Sequence, residues 1–228
     1  MQYLKNHYQL IGLTGLIGLL WNTPVALPLK LLVVFLHELS HGAAAILTGG
    51  KIISISVSSQ QGGQALTLGG NGFAILSAGY IGSLVLGVML FFFALRSDAD
   101  RFIVGVLGAV TLLIAALYIR DLFALAFCAG TGAALLASAR FLGHGANDLV
   151  LRVIGLTSIA YVPLDIFSDT IARSSLRSDA RMLAEEYGGT TILWGGVWLV
   201  LSLGIIVLCF RYLLGSESNL RASVSKDR

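Results

Sequence analysis

His37, Glu38 and His41 form a complete H-E-x-x-H pattern within His37-Glu38-Leu39-Ser40-His41-Gly42. On a helix, residues four apart project from one face, so the two imidazoles can ligate a single metal ion. Glu38 lies beside them, where a carboxylate can take a proton from a water acidified by zinc. The chain holds only four His and four Glu, so a chance match somewhere along it arises at odds of about one in a thousand. The pattern also sits in an apolar run, Leu31-Leu32-Val33-Val34-Phe35-Leu36. Three ionisable groups left unpaired in a membrane helix would cost on the order of a few kcal/mol each. A polar cluster that merely bonds neighbouring helices is the bland alternative; a metal site is the stronger reading.

A catalytic zinc takes three protein ligands and keeps a fourth position open. His144 lies between two apolar runs and reads as a solvated loop histidine. Asp121 stands beside Arg120 as an interfacial pair, and Glu185 and Glu186 read as the solvated face of a short helix. Asp165 differs, since it lies towards the end of an apolar run directly after Pro163-Leu164. Pro163 would bend or open that helix, and freed carbonyls in a membrane need protein or a water-filled cavity. Asp165 is therefore the preferred third ligand. Asp169, one helical turn on, is the alternative, either as ligand or as an acceptor that holds a histidine.

Composition says what must position these groups. Of 228 residues, 56% are hydrophobic and 12% charged, about half the charge of a typical soluble domain. A mean hydropathy of +0.85 points to lipid as the main solvent. The net charge of +3 is carried by basic residues scattered between apolar blocks. That is a pattern of membrane anchors and speaks against nucleic acid as a partner. Cys128 and Cys209 each lie in an apolar run and read as buried packing residues. Met1 to Trp21 reads as a retained first helix in preference to a signal peptide.

The expected fold is an all-α polytopic membrane protein, a bundle of six or seven transmembrane helices with a small β-hairpin after the helix of the zinc motif. Apolar runs fall at Tyr8 to Trp21, Val25 to Leu47, Phe73 to Leu95, Phe102 to Ile119, Leu122 to Ala139, Leu149 to Phe167 and Ile192 to Leu214. Between the second and third, Ile53, Ile55 and Val57 alternate with serines, Gln60-Gln61-Gly62-Gly63 signals a turn, and Ala65 to Leu68 offers a return strand. The third run carries Ser77, Ala78, Gly79, Gly82, Ser83 and Gly87, a face on which another helix can approach closely. A single domain over 1–215 is expected, with the hairpin at about 51–70, a polar loop at about 168–190 and a polar tail at 216–228. Within the loop, Ser178 can cap a short helix through Met182 and Leu183 that Gly188-Gly189 ends.

His37-Glu38-Leu39-Ser40-His41-Gly42 at the end of an apolar helix resembles the zinc motif of the site-2-protease family of intramembrane metalloproteases. Thr48-Gly49-Gly50, the hairpin, and Ser77-Ala78-Gly79-Tyr80-Ile81-Gly82 are similar to its compact M50B-like branch. So are Pro163-Leu164-Asp165-Ile166, Ser178-Asp179-Ala180 and Trp194-Gly195-Gly196-Val197-Trp198. The resemblance runs from Leu31 to Trp198. It implies zinc as cofactor and a third ligand that is an aspartate on a later membrane helix, often within Leu-Asp-Gly. Here Leu164-Asp165 is followed by Ile166.

The expected activity is zinc-dependent endopeptidase cleavage of membrane-embedded or membrane-adjacent substrates. Glu38 is the general base, and His37, His41 and Asp165 are the metal ligands. The expected partners are a membrane protein or peptide and the lipid bilayer, in a multi-pass protein of the cell membrane. A non-proteolytic scaffold or chaperone and, less favoured, a metal or proton transporter are the other classes. An intact Glu38 argues for the enzyme, since simple metal binding has no use for it.

Overall fold

Capping chemistry places most of the chain breaks. Asn71, Asp121, Ser178 and Thr190 each precede a helix and accept a backbone N–H from the residue three further on, satisfying a donor the first turn leaves free. Gly49 has φ +88° and ends the zinc-motif helix, and Gly188 and Gly189 close the short helix with φ of +82° and +88°. The computed structural model describes residues 2–173, 177–214 and 218–219. Apart from Ser218 and Asn219, the tail expected over 216–228 lies outside the described residues, as do positions 174–176 of the polar loop.

The elements are α1 (Gln2–Leu20), a 3₁₀ turn (Pro24–Ala26), α2 (Leu27–Leu47), β1 (Lys51–Val57), β2 (Gly63–Leu68), α3 (Gly72–Arg96), α4 (Asp100–Tyr118) and α5 (Leu122–Phe141), then α6 (His144–Phe167), a π turn (Ser168–Ala172), α7 (Asp179–Tyr187) and α8 (Thr191–Leu213). Among the described residues, six helices are long and apolar enough to cross a membrane: α2 with its 3₁₀ turn, α3, α4, α5, α6 with its π turn, and α8. The run in α1 is not one of them, because Lys5, Asn6, His7 and Gln9 occupy its first half. It is tied instead to Ser218, whose N–H donates to Asn6 O at 3.0 Å and whose hydroxyl lies 2.7 Å from His7 Nδ1.

α6 begins five residues before the apolar run that announces it. The polar residues there are satisfied inside the protein: the Asn147 amide donates to carbonyls of Ser138, Leu142 and Gly143, and Arg152 pairs with Asp148 at 2.6 Å. Pro163 lies within α6, which continues past it as helix and widens into the π turn. α2 is the most enclosed span, with 67% of its window buried against 22% for α4, α5 and α8. The latter three turn their remaining faces outward, where lipid is the solvent.

The hairpin is antiparallel, Lys51 opposite Leu68 and Val57 opposite Gly63, with an irregularity between Ile52 and Ser54. That extra residue shifts the alternation, so Ile52, Ile55 and Val57 are buried while Ile53 faces outward. β1 packs on α2, α4 and α5, and β2 packs on α2. Packing on three helices supports a two-stranded ribbon that cannot hold itself together alone.

Small residues set the helix spacing. A Cβ on Gly82 would lie 2.6 Å from the Ser40 side chain, and one on Gly87 2.3 Å from Ser158. At the α3–α6 crossing, Gly155 admits the Phe91 backbone: a Cβ there would lie 2.7 Å from Phe91 Cβ, 2.8 Å from Gly87 O and 2.9 Å from Phe91 N. None of these atoms sits at the end of a flexible side chain. Gly155→Ala is therefore expected to lower unfolding stability by about 1–3 kcal/mol, measured by denaturant titration of purified protein in detergent. An unchanged midpoint would show that the two helices are not held at this distance.

Candidate metal centre

α2 turns His37, Glu38 and His41 into the protein interior at mid-helix. Glu38 and His41 are each 5% exposed. The two imidazoles stand edge to face with centroids 4.7 Å apart, as the four-residue spacing requires. What lets both rings stand there is the absence of a side chain on α3. A Cβ on Gly79 would fall 2.3 Å from His37 Nε2 and 2.6 Å from His41 Cε1. Tyr80, next on α3, sets its ring edge-on to His37 at 4.6 Å and donates its hydroxyl to Asp169 Oδ2 at 2.7 Å.

The carboxylate that meets both histidines is Asp179. Its Oδ2 lies 3.0 Å from His37 Nε2 and 3.2 Å from His41 Nε2. Ligand atoms of His37, His41 and Asp179 all fall within 4.8 Å of one another, and Asp165 is not part of that group. Asp165 lines the same cavity but bonds the Tyr161 hydroxyl one turn back on its own helix. Asp169 accepts from Tyr80 and from Arg173, the latter at 2.7 Å. The fold thus groups Asp179 with the two histidines, while Asp165 and Asp169, the ligands expected from sequence, line the same cavity outside that group.

Asp179 is the first residue of α7, outside the spans. Ser178 caps that helix, accepting from Arg181 N at 3.4 Å. Ala180 and Leu183, three apart and fully buried, press the helix into the bundle. Asp179 lies outside every apolar run, so hydropathy does not mark it as a costly acid. The available signal was Ser178-Asp179-Ala180 followed by Leu183, a capped amphipathic start whose first carboxylate is carried inward with its apolar face. Burial would raise the pKa of Asp179, but His41 and His37 against it outweigh that effect and hold it below the usual carboxylate range.

The other sequence candidates have structural partners. His144 Nδ1 lies 2.8 Å from the buried Asp100. Asp121 caps α5, accepting from Ala124 N at 2.8 Å, while Arg120 donates to backbone carbonyls. Glu185 pairs with Arg181 at 2.9 Å, and Glu186 takes the Tyr187 hydroxyl. Cys128 and Cys209 are free and buried.

Do these residues fit a metal? His41 Nδ1 lies 2.6 Å from the Ile75 carbonyl. A carbonyl only accepts, so Nδ1 carries a proton; Nε2 then faces Asp179 as a donor in the protonated ring, or as a bare lone pair open to a metal in the neutral one. In the neutral ring, two lone pairs facing each other at 3.2 Å repel unless a proton or a metal cation lies between them. Donors about 2.0–2.1 Å from a tetrahedral zinc stand about 3.3 Å apart, close to the separations here. Two nitrogens and one oxygen, one ring held through its far nitrogen, are a fitting donor set for zinc.

A cavity of about 740 Å³ opens onto the cluster. Glu38 faces it beneath β2 and accepts the Ala65 N–H. A Cβ on Gly63 would lie 2.3 Å from Glu38 Oε1, so only glycine lets the strand come this close.

Fold and site together define a multi-pass membrane protein in which an H-E-x-x-H helix and a largely buried aspartate converge beneath a β-hairpin. A family model described as Peptidase M50B-like matches residues 10–209. The chain belongs to that family, and it is an integral membrane protein. No curated protein and no solved structure matches it.

Asp179→Ala is expected to weaken zinc binding by at least about 100-fold, since loss of a residue that only orients a ligand already costs 10–100-fold. Asp165→Ala is expected to retain the metal. Bound zinc measured by elemental analysis after dialysis against a graded chelator distinguishes the two, and the opposite order would restore Asp165 as the ligand.

Proposed function

We propose that this protein is a zinc-dependent endopeptidase of the cell membrane that hydrolyses peptide bonds of membrane-embedded or membrane-adjacent proteins. One observation carries the reading: Glu38, with no ligand role in the His37–His41–Asp179 cluster, faces the same cavity beside it. A metal-storing or purely structural site has no use for that carboxylate. Membership of a peptidase family supports the same conclusion.

His37, His41 and Asp179 would hold the zinc, which when bound would supply Lewis acidity to lower the pKa of a water and polarise a carbonyl. Glu38 accepts the proton of the water as its oxygen bonds to the peptide carbonyl carbon. The same carboxylate then delivers that proton to the amide nitrogen as the C–N bond breaks, leaving a carboxylic acid and an amine, to which the second proton of the water then passes. The hydrogen bond from Ala65 and the contact with Gly63 hold Glu38 in place for both transfers.

A substrate helix hides its carbonyls in its own hydrogen bonds, so it must be drawn out before attack. β2 pairs with β1 on one side only, and residues of β2 from Gly63 to Thr67 line the cavity. An extended segment adding to β2 as a further strand would satisfy its backbone groups at membrane depth and present a carbonyl beside Glu38.

Glu38→Gln is expected to retain zinc and to lower cleavage of model transmembrane peptides by about 10²–10⁴-fold, measured by mass spectrometry of products from purified protein in lipid nanodiscs. Retained cleavage would sink the mechanism. Zinc without any cleavage in the wild type would favour a scaffold or chaperone. Ion flux equal in wild type and Glu38→Gln would favour a transporter.

A further inference from the structure

Lys30 is a base within the span that carries the metal motif. It is half-buried, with its ammonium 4.6 Å from the centroid of the Trp21 ring. Among the described residues it forms no ion pair. An unpaired cation in a membrane helix costs on the order of a few kcal/mol, and such groups mark binding pathways. Lys30 does not simply anchor the helix at a lipid surface, because it lines a cavity of about 390 Å³ together with Trp21, Gln61, Tyr161, Asp165 and Arg173. Gln60, Gln61, Asp165 and Arg173 belong to this cavity and to the one over the metal cluster, so the two adjoin at the hairpin turn.

The other charges of this second cavity are engaged. Asp165 takes the Tyr161 hydroxyl, and Arg173 is paired with Asp169. Bases outnumber acids in the lining, Lys30 and Arg173 against Asp165, and Lys30 is the base with no counter-charge. Trp21 and Tyr161, ring centroids 6.2 Å apart, provide an apolar wall for the stem of an incoming side chain.

We infer that this cavity is a specificity subsite in which Lys30 takes an acidic side chain of the substrate peptide, an assignment that rests on the endopeptidase reading. Its distance from the chemistry follows from the hairpin. Glu38 touches Gly63 and Ala65, and Gln61 is two and four residues from them. At no more than about 3.3 Å per residue this is at most about 7–13 Å along the chain. The acidic residue therefore belongs two to four positions from the cleaved bond, on the side towards the hairpin turn. Substrates of this chemistry are membrane proteins with an Asp or Glu just beyond an unwound segment.

The test uses purified full-length protein in nanodiscs and model transmembrane peptides carrying one Glu, Gln or Lys at each position from five before to five after the cleaved bond. In the wild type, Glu at one of the positions two to four from that bond is expected to raise kcat/KM about fivefold over Gln there, as a partly exposed ion pair would. Lys30→Arg keeps that ratio, Lys30→Gln brings it to about one, and Lys30→Glu transfers the preference to Lys at the same position. A wild type with no positional preference for Glu, or a preference that Lys30→Gln leaves intact, overturns the subsite. Cleavage that follows the anionic lipid content through Lys30, with no dependence on the peptide's charge, overturns it in favour of a lipid headgroup site. If no peptide is cleaved, the endopeptidase reading fails by itself. Photo-crosslinking of the same peptides then decides the subsite: greater capture of Glu peptides by wild type than by Lys30→Gln supports it, and equal capture overturns it.

Discussion

One carboxylate oxygen, Asp179 Oδ2, faces two imidazole nitrogens inside a membrane bundle, and the surrounding packing follows from making that arrangement tolerable. A buried carboxylate needs compensating positive charge, which the histidines answer when protonated or when they share a metal with it. The Ile75 carbonyl holds His41 in the tautomer that points Nε2 at the carboxylate. Gly79 leaves the space both rings occupy. Tyr80 closes one side with its ring and is tied through Asp169 to Arg173 at the π turn. α2, α3, the π turn and α7 thus meet around a single oxygen.

The hairpin gives the other half of the site. A two-stranded ribbon is a weak structure by itself, yet here β1 is wedged between α2 and the α4–α5 pair. That leaves β2 as a supported edge over the cavity, where its Ala65 N–H orients Glu38. The same edge orders the Glu38 carboxylate through backbone groups the ladder does not consume.

Much of this was legible because lipid makes residue choice strict. The apolar runs locate the helices to within a few residues, and His37, Glu38 and His41 stand out as groups with no inexpensive structural reason to be there. The stripe from Ser77 to Gly87 was legible as a close-packing face, which Gly82 and Gly87 bear out against Ser40 and Ser158. Gly79 in that stripe meets the histidines instead of a helix backbone, and nothing in its spacing separates it from its neighbours. The early start of α6 was hidden because Asn147, Asp148 and Arg152 look like loop residues until their partners are known. Ile53 was misplaced because one extra residue in β1 reverses every later side chain.

By itself, the sequence determined that a helix would carry two histidines on one face at metal-ligand spacing with a glutamate beside them, in a polytopic membrane bundle with a hairpin after it. Those features depend on local spacing and on hydropathy, which act over a few residues. The identity of the third acid was a tertiary decision. Asp165 and Asp179 are both aspartates near the end of α6 in sequence, and hydropathy favours the one inside the apolar run. The chain instead widens into a π turn, returns, and buries Ala180 and Leu183. That packing carries Asp179 to the histidines, while Asp165 turns to its own Tyr161. Long-range burial of an apolar face chose between two chemically equal carboxylates, and no local pattern records that choice.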